Sequence, residues 1–137
     1  MSTRISSGQV TARYHQSESG AASNAFRTRL GVMLLTNMVS RAKVKFVSFQ
    51  SLAGNYVVIR NKKLHQDYMY AHLATRAPVR KGQIVQPGQQ IGIVGQTGDA
   101  TACHLHFELW LGKWYRGGHP VDPMPYLQTY QGFAAHK

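Results

Sequence analysis

Acidic side chains are scarce in this sequence, with five Asp and Glu against 16 Lys and Arg, a formal net charge of +11. Any metal centre must therefore find its carboxylate ligands among very few residues. Cysteine is rarer still. Cys103 stands alone, which excludes an internal disulfide, and neither a papain-like nor a caspase-like word surrounds it, so it reads as a small apolar filler. No apolar run approaches the length that spans a bilayer. Met1 to Val10 lacks an apolar core, so no secretory signal is expected there; Leu30 to Leu35 imitates one but is broken by Thr36 and Asn37. The aromatic signature of RNA-binding modules is missing as well. With basic residues scattered along the chain, the charge points to adhesion to an anionic partner such as a wall polymer, and away from specific nucleic-acid binding.

What is present is a turn-rich β protein of one domain's length. The 137 residues carry 13 glycines and 43% hydrophobic residues, enough to bury a core. Lys43 to Phe49 alternates polar and apolar residues, the pattern of a half-buried strand. Ser51 to Gly54 makes a turn, and Tyr56 to Ile59 is a β-branched strand. After a basic turn from Asn61 to His65, Asp67 to His72 alternates again. Pro78 forbids a helix through the connector that follows, and two short apolar segments hinge at Pro87-Gly88. A further strand is expected at Trp114-Tyr115, then a Pro-rich wrap. Residues 1–38 read as a flexible lead, 39–130 as the domain and 131–137 as a tail.

The chemistry concentrates in His104-Leu105-His106-Phe107-Glu108. In a strand these side chains alternate, so His104, His106 and Glu108 share one face and Leu105 and Phe107 the other. Two imidazoles then sit roughly 7 Å apart on a rigid element, from two residues of about 3.3 Å rise each. One can ligate a metal while its neighbour handles a proton. Glu108 is either a support for these rings or a solvated strand carboxylate. Asp67, five residues before His72, falls on the opposite face by the same alternation.

Around that word, in order, stand Gly54-Asn55-Tyr56-Val57-Val58-Ile59, Tyr70-Ala71-His72-Leu73, Val79 to Val85, Gly88-Gln89-Gln90-Ile91-Gly92 and Val121-Asp122-Pro123. Together they resemble the lysostaphin/LytM-type zinc endopeptidases that cut peptidoglycan cross-links, over residues 43 to 128. The resemblance implies an antiparallel two-sheet β domain of the duplicated hybrid motif type with little helix. It implies zinc as cofactor, peptidoglycan or another anionic wall polymer as partner, and work in the cell envelope. Carried over residue by residue, it makes His106 a metal ligand, His104 and His72 catalytic, and Tyr70 either a substrate contact or a packing residue.

One expected word is absent. The family pattern has His-x-Gly-x-Asp upstream, supplying two metal ligands; here Arg29-Leu30-Gly31-Val32-Met33 keeps only the glycine and the spacing. A guanidinium only donates, and a thioether is too soft to replace a carboxylate on zinc. His15 lies too far upstream to restore the pattern. A shifted reading frame, a truncated copy or divergence to an inactive form would each produce this. Two functions follow: a zinc endopeptidase, impaired or not, and a non-cleaving wall-binding or regulatory relative. A lipoyl-type carrier is excluded by the lack of a Met-Lys-Met word.

Overall fold

The structure is a computed structural model that describes residues 2–6, 25–27, 33–37, 39–100, 104–123 and 125–126. Of the residues singled out above, His15, Arg29, Gly31 and Cys103 lie outside these, as do the side chains of Met33 and His104.

Among the described residues ten strands run in chain order: β1 (Ser2–Ser6), β2 (Ala25–Arg27), β3 (Met33–Thr36), β4 (Ala42–Gln50), β5 (Gly54–Asn61), β6 (Gln66–Leu73), β7 (Ile84–Val85), β8 (Gln90–Ile93), β9 (His104–Leu111) and β10 (His119–Val121). Seven form one sheet in the order β1-β9-β6-β5-β4-β7, with β10 also on β9; β2, β3 and β8 form the second. Every pairing is antiparallel. Helix is confined to 125–126 among the described residues. The expected two-sheet antiparallel domain is what the chain forms. The described parts of the lead belong to it, since β1 extends the large sheet and β2 and β3 build the small one.

Burial explains the strands. β6 lies at the centre of the large sheet, and all eight of its residues are buried. One face of that sheet carries Val57, Ile59, Tyr68, Tyr70, Leu105, Phe107 and Leu109, packed with Leu35 and Ile91 of the small sheet. Tyr70 meets Phe107 edge-on with ring centroids 5.0 Å apart. The other face carries a second cluster, Tyr56, Val58, Met69, Ala71, Trp110 and Trp114. The candidate site residues His72 and His106 lie on this second face.

Trp114 and Tyr115 are not in a strand. They belong to the turn after β9, where Tyr115 adopts a φ of 50°, and the strand that follows is β10, at His119–Val121. Trp114 is drawn into the fold by Asp67, whose Oδ2 accepts its backbone N–H at 2.8 Å. The same carboxylate takes a two-pronged pair from Arg60, at 2.7 and 2.9 Å. Asp67 is 1% exposed, so its loss leaves a guanidinium and an amide without their acceptor in a site water barely reaches. Because Arg60 itself keeps 18% exposure, part of that cost is recovered by solvent. Asp67→Asn is expected to cost about 2–3 kcal/mol in urea unfolding. A loss below about 1 kcal/mol would show that the pair contributes little net stability.

Candidate active site

The site begins with a departure from regular alternation. Opposite β6, the β5 register steps between Asn55 and Val57, so Ala71 and His72 together face Tyr56. This is a β-bulge, and at it His72 takes a φ of 62°, a left-handed conformation that a histidine adopts only at a cost of about 1–3 kcal/mol. Strict alternation from Tyr68 and Tyr70 would send His72 into the core. The bulge turns it to the Met69 and Ala71 face, where it joins His106. It also overturns the reason for setting Asp67 aside: Asp67 shares that face at the far end of β6, and what removes it from the site is its engagement with Arg60 and Trp114.

The bulge is held by the loop after β8. A Leu73–Val94 bridge ties that loop to the end of β6, and Ala74 N–H donates to the Ile93 carbonyl at 2.8 Å. Thr97 follows. Its hydroxyl donates to the Leu73 carbonyl and accepts the Asn55 N–H at 3.0 Å. Its carbonyl receives His72 Nδ1 at 2.7 Å. A carbonyl only accepts, so Nδ1 carries the proton, and the neutral ring has its lone pair on Nε2. His72 is 5% exposed, and its backbone N–H is fixed to the Ala53 carbonyl at 2.8 Å.

β9 supplies the second ring. His106 Nε2 donates to Glu108 Oε2 at 2.9 Å, which assigns the lone pair of the neutral ring to Nδ1. That Nδ1 is buried and has no hydrogen-bond partner among the described residues. Such an atom is unusual, because buried polar groups are nearly always satisfied. Glu108 also accepts the indole N–H of Trp110 at 2.8 Å and of Trp114 at 3.4 Å. Burial pushes its carboxyl up, but the donors from His106, Trp110 and Trp114 outweigh it and hold the group below its ordinary value. Glu108 is therefore a support for His106 and not a solvated strand carboxylate.

The His72 and His106 ring centroids lie 5.8 Å apart, at an interplanar angle of 68°. Both rings line an open cavity of about 610 Å³, with Glu108, Asp99, Tyr56, Met69, Trp114 and Tyr115 among its walls. The β4–β5 hairpin adds Gln50, Leu52 and Ala53. Tyr70 is absent from the lining; it is fully buried against Phe107, in the packing role. Thr97, Asp99 and Trp114 are the participants that the sequence did not reveal. The only signal for Thr97 was its place in Gln96-Thr97-Gly98, a loop beside the His word.

A zinc centre asks for three protein donors. Among the described residues no group of three or more His, Cys, Asp or Glu is arranged to hold an ion. His106 Nδ1 fits one ligand position, and the described residues do not fit a complete shell.

The family model for Peptidase family M23 matches residues 38–123, well over half of the chain. This chain belongs to peptidase family M23. Relatives include peptidoglycan DD-endopeptidase ShyB of Vibrio cholerae, 40% identical over 82 residues, which is 60% of this chain and 18% of that protein. Lysostaphin of Staphylococcus simulans is 38% identical over 77 residues, 56% of this chain and 15% of that protein. The match thus spans less than a fifth of either relative. The solved catalytic domain of that lysostaphin aligns with a TM-score of 0.60 and 27% identity, over 71% of this chain and 76% of the domain. A zinc-containing peptidase from Vibrio cholerae aligns with a TM-score of 0.56 and 36% identity, over 69% of this chain and 26% of the peptidase.

Proposed function

We propose that this chain is the catalytic domain of a peptidoglycan endopeptidase that acts in the cell envelope and depends on zinc. The observation that carries the reading is the buried Nδ1 of His106, without a hydrogen-bond partner among the described residues, on a cavity-lining ring fixed by Glu108 beside a second histidine of fixed tautomer. Membership of family M23 and a relative named as a DD-endopeptidase support the substrate class.

In this reading His106 is a metal ligand. Zinc, when bound, supplies a Lewis acid beside the scissile carbonyl. His72 accepts or returns a proton at Nε2, while Thr97 keeps Nδ1 protonated. His104, one strand position pair before His106, is the second catalytic histidine carried over from the family pattern. The open cavity admits an extended peptide, and Leu52, Asp99 and Tyr115 border its path.

Digestion of purified peptidoglycan sacculi by the full chain tests this, with zinc content measured by elemental analysis on the same sample. Release of peptide-bearing fragments that stops on chelation and returns with zinc is expected. The alternative, a wall-binding module without cleavage, draws on Arg29 and Met33 standing where the family pattern has His and Asp. Binding to sacculi with no fragment release and no bound zinc would replace the first reading with this one.

A further inference from the structure

Folding gathers the positive charge that is scattered in the sequence. A second cavity, of about 520 Å³, is lined by Arg41, Lys43, Lys45, Arg60, Lys62 and Lys63, and among the described residues no carboxylate is in its walls. We propose that this pocket is a binding site for a phosphodiester-linked wall polymer, its phosphates seated on Lys43, Lys45, Lys62 and Lys63.

Three observations carry this. First, Lys43 stands directly opposite Arg60 in the β4–β5 register, so strand pairing brings a second cation beside the one that Asp67 engages. Second, Arg60 alone of the six is neutralised within the protein, by Asp67 at 2.7 Å; the other five make no ion pair among the described residues. Burial first, and then the charges of Arg60, Lys43 and Lys81, push the Lys45 ammonium below its ordinary value. Third, the pocket lies on the sheet face that carries the active site. Arg60 pairs with Asp67, and His72 is five residues further along β6, so the two sites are about 16 Å apart at about 3.3 Å per residue. One polymer laid along this face can touch both.

The walls also discriminate among anions. Among the described residues they contain no aromatic ring to serve as the stacking platform on which single-stranded nucleic acids depend. The site is concave, with the buried Asn61 among its walls, which suits a chain entering it better than a plane of lipid headgroups.

The test is calorimetric titration of the full chain with poly(glycerol phosphate) of defined length, across a salt series. Single-stranded DNA and phosphatidylglycerol vesicles serve as separate arms. Binding is independent of catalysis, so failure here and failure of the peptidase reading are distinguishable. The quadruple variant Lys43→Gln/Lys45→Gln/Lys62→Gln/Lys63→Gln is expected to lose at least about tenfold in affinity, with the slope of log K against log salt flatter by about 3. The charge-matched variant Arg76→Gln/Arg80→Gln/Lys113→Gln/Arg116→Gln, outside the pocket, should lose less than about threefold. Should the quadruple variant fold poorly, Lys62→Glu in the exposed turn gives the same readout. Equal losses in the two variants would reduce the effect to bulk charge and overturn the proposal. Tighter binding of DNA or vesicles than of the polymer would overturn it too.

Discussion

His106→Ala is expected to lower the rate of peptide release from peptidoglycan at least about a thousandfold while leaving the fold intact. The ring is half-buried on the outer side of β9, and the core contacts of that strand come from Leu105, Phe107 and Leu109 on the opposite face. Alanine therefore removes the imidazole without opening the core, and Glu108 keeps its two indole donors. What disappears is a buried ring nitrogen that has no hydrogen-bond partner among the described residues, on a ring that lines the cavity. Thermal melting within a few degrees of wild type, together with loss of fragment release, is the expected pair of results. Retained release would remove His106 from the metal and end the reading of this cavity as the active site. Glu108→Gln makes a useful companion. The amide can accept from His106 with its oxygen, but its NH₂ then replaces the Oε1 that accepts the Trp110 and Trp114 N–H groups, so both indole bonds are lost. A tenfold to hundredfold weaker affinity for zinc follows for a group that acts only by orienting a ligand.

The second large effect is on stability. Gly98 takes a φ of 78°, and a Cβ there would lie 2.6 Å from the Leu52 carbonyl oxygen and 2.8 Å from the Ala53 carbonyl carbon. Both are backbone atoms, so no flexible side-chain end can move aside. Gly54, on the other side of the contact, has a φ of 66° and is pressed against Thr97 in the same way. These two glycines let the 95–100 loop lie flat on the β4–β5 hairpin, and that contact keeps Thr97 in reach of His72. Gly98→Val adds the strain of the left-handed region to the steric conflict, and a loss of roughly 4 kcal/mol is expected in urea unfolding. Hydrolysis should fall with it even where the variant remains folded, because the Thr97 carbonyl that sets the His72 tautomer is displaced. A variant as stable as wild type would show that the loop seats the valine by shifting as a whole.

Much of this was legible in the chain. Alternation located β4 and β6, β-branched residues located β5, and the period of two put His106 and Glu108 on one face of β9. The ordered words around the His pair led to the family that the profile match shows. The turn at Trp114-Tyr115 was misread as a strand because aromatic residues favour strands, whereas here Asp67, 47 residues earlier, captures the Trp114 amide.

The amino-acid sequence by itself determined that this protein is a turn-rich β domain with an imidazole pattern on β9, since both follow from local composition and periodicity. Only the tertiary structure decided which way His72 points and where the charge collects. A bulge depends on how β6 pairs with β5, and Lys43 meets Arg60, Lys62 and Lys63 only because β4 lies beside β5. Such neighbours are set by pairing between distant residues, which no local pattern encodes.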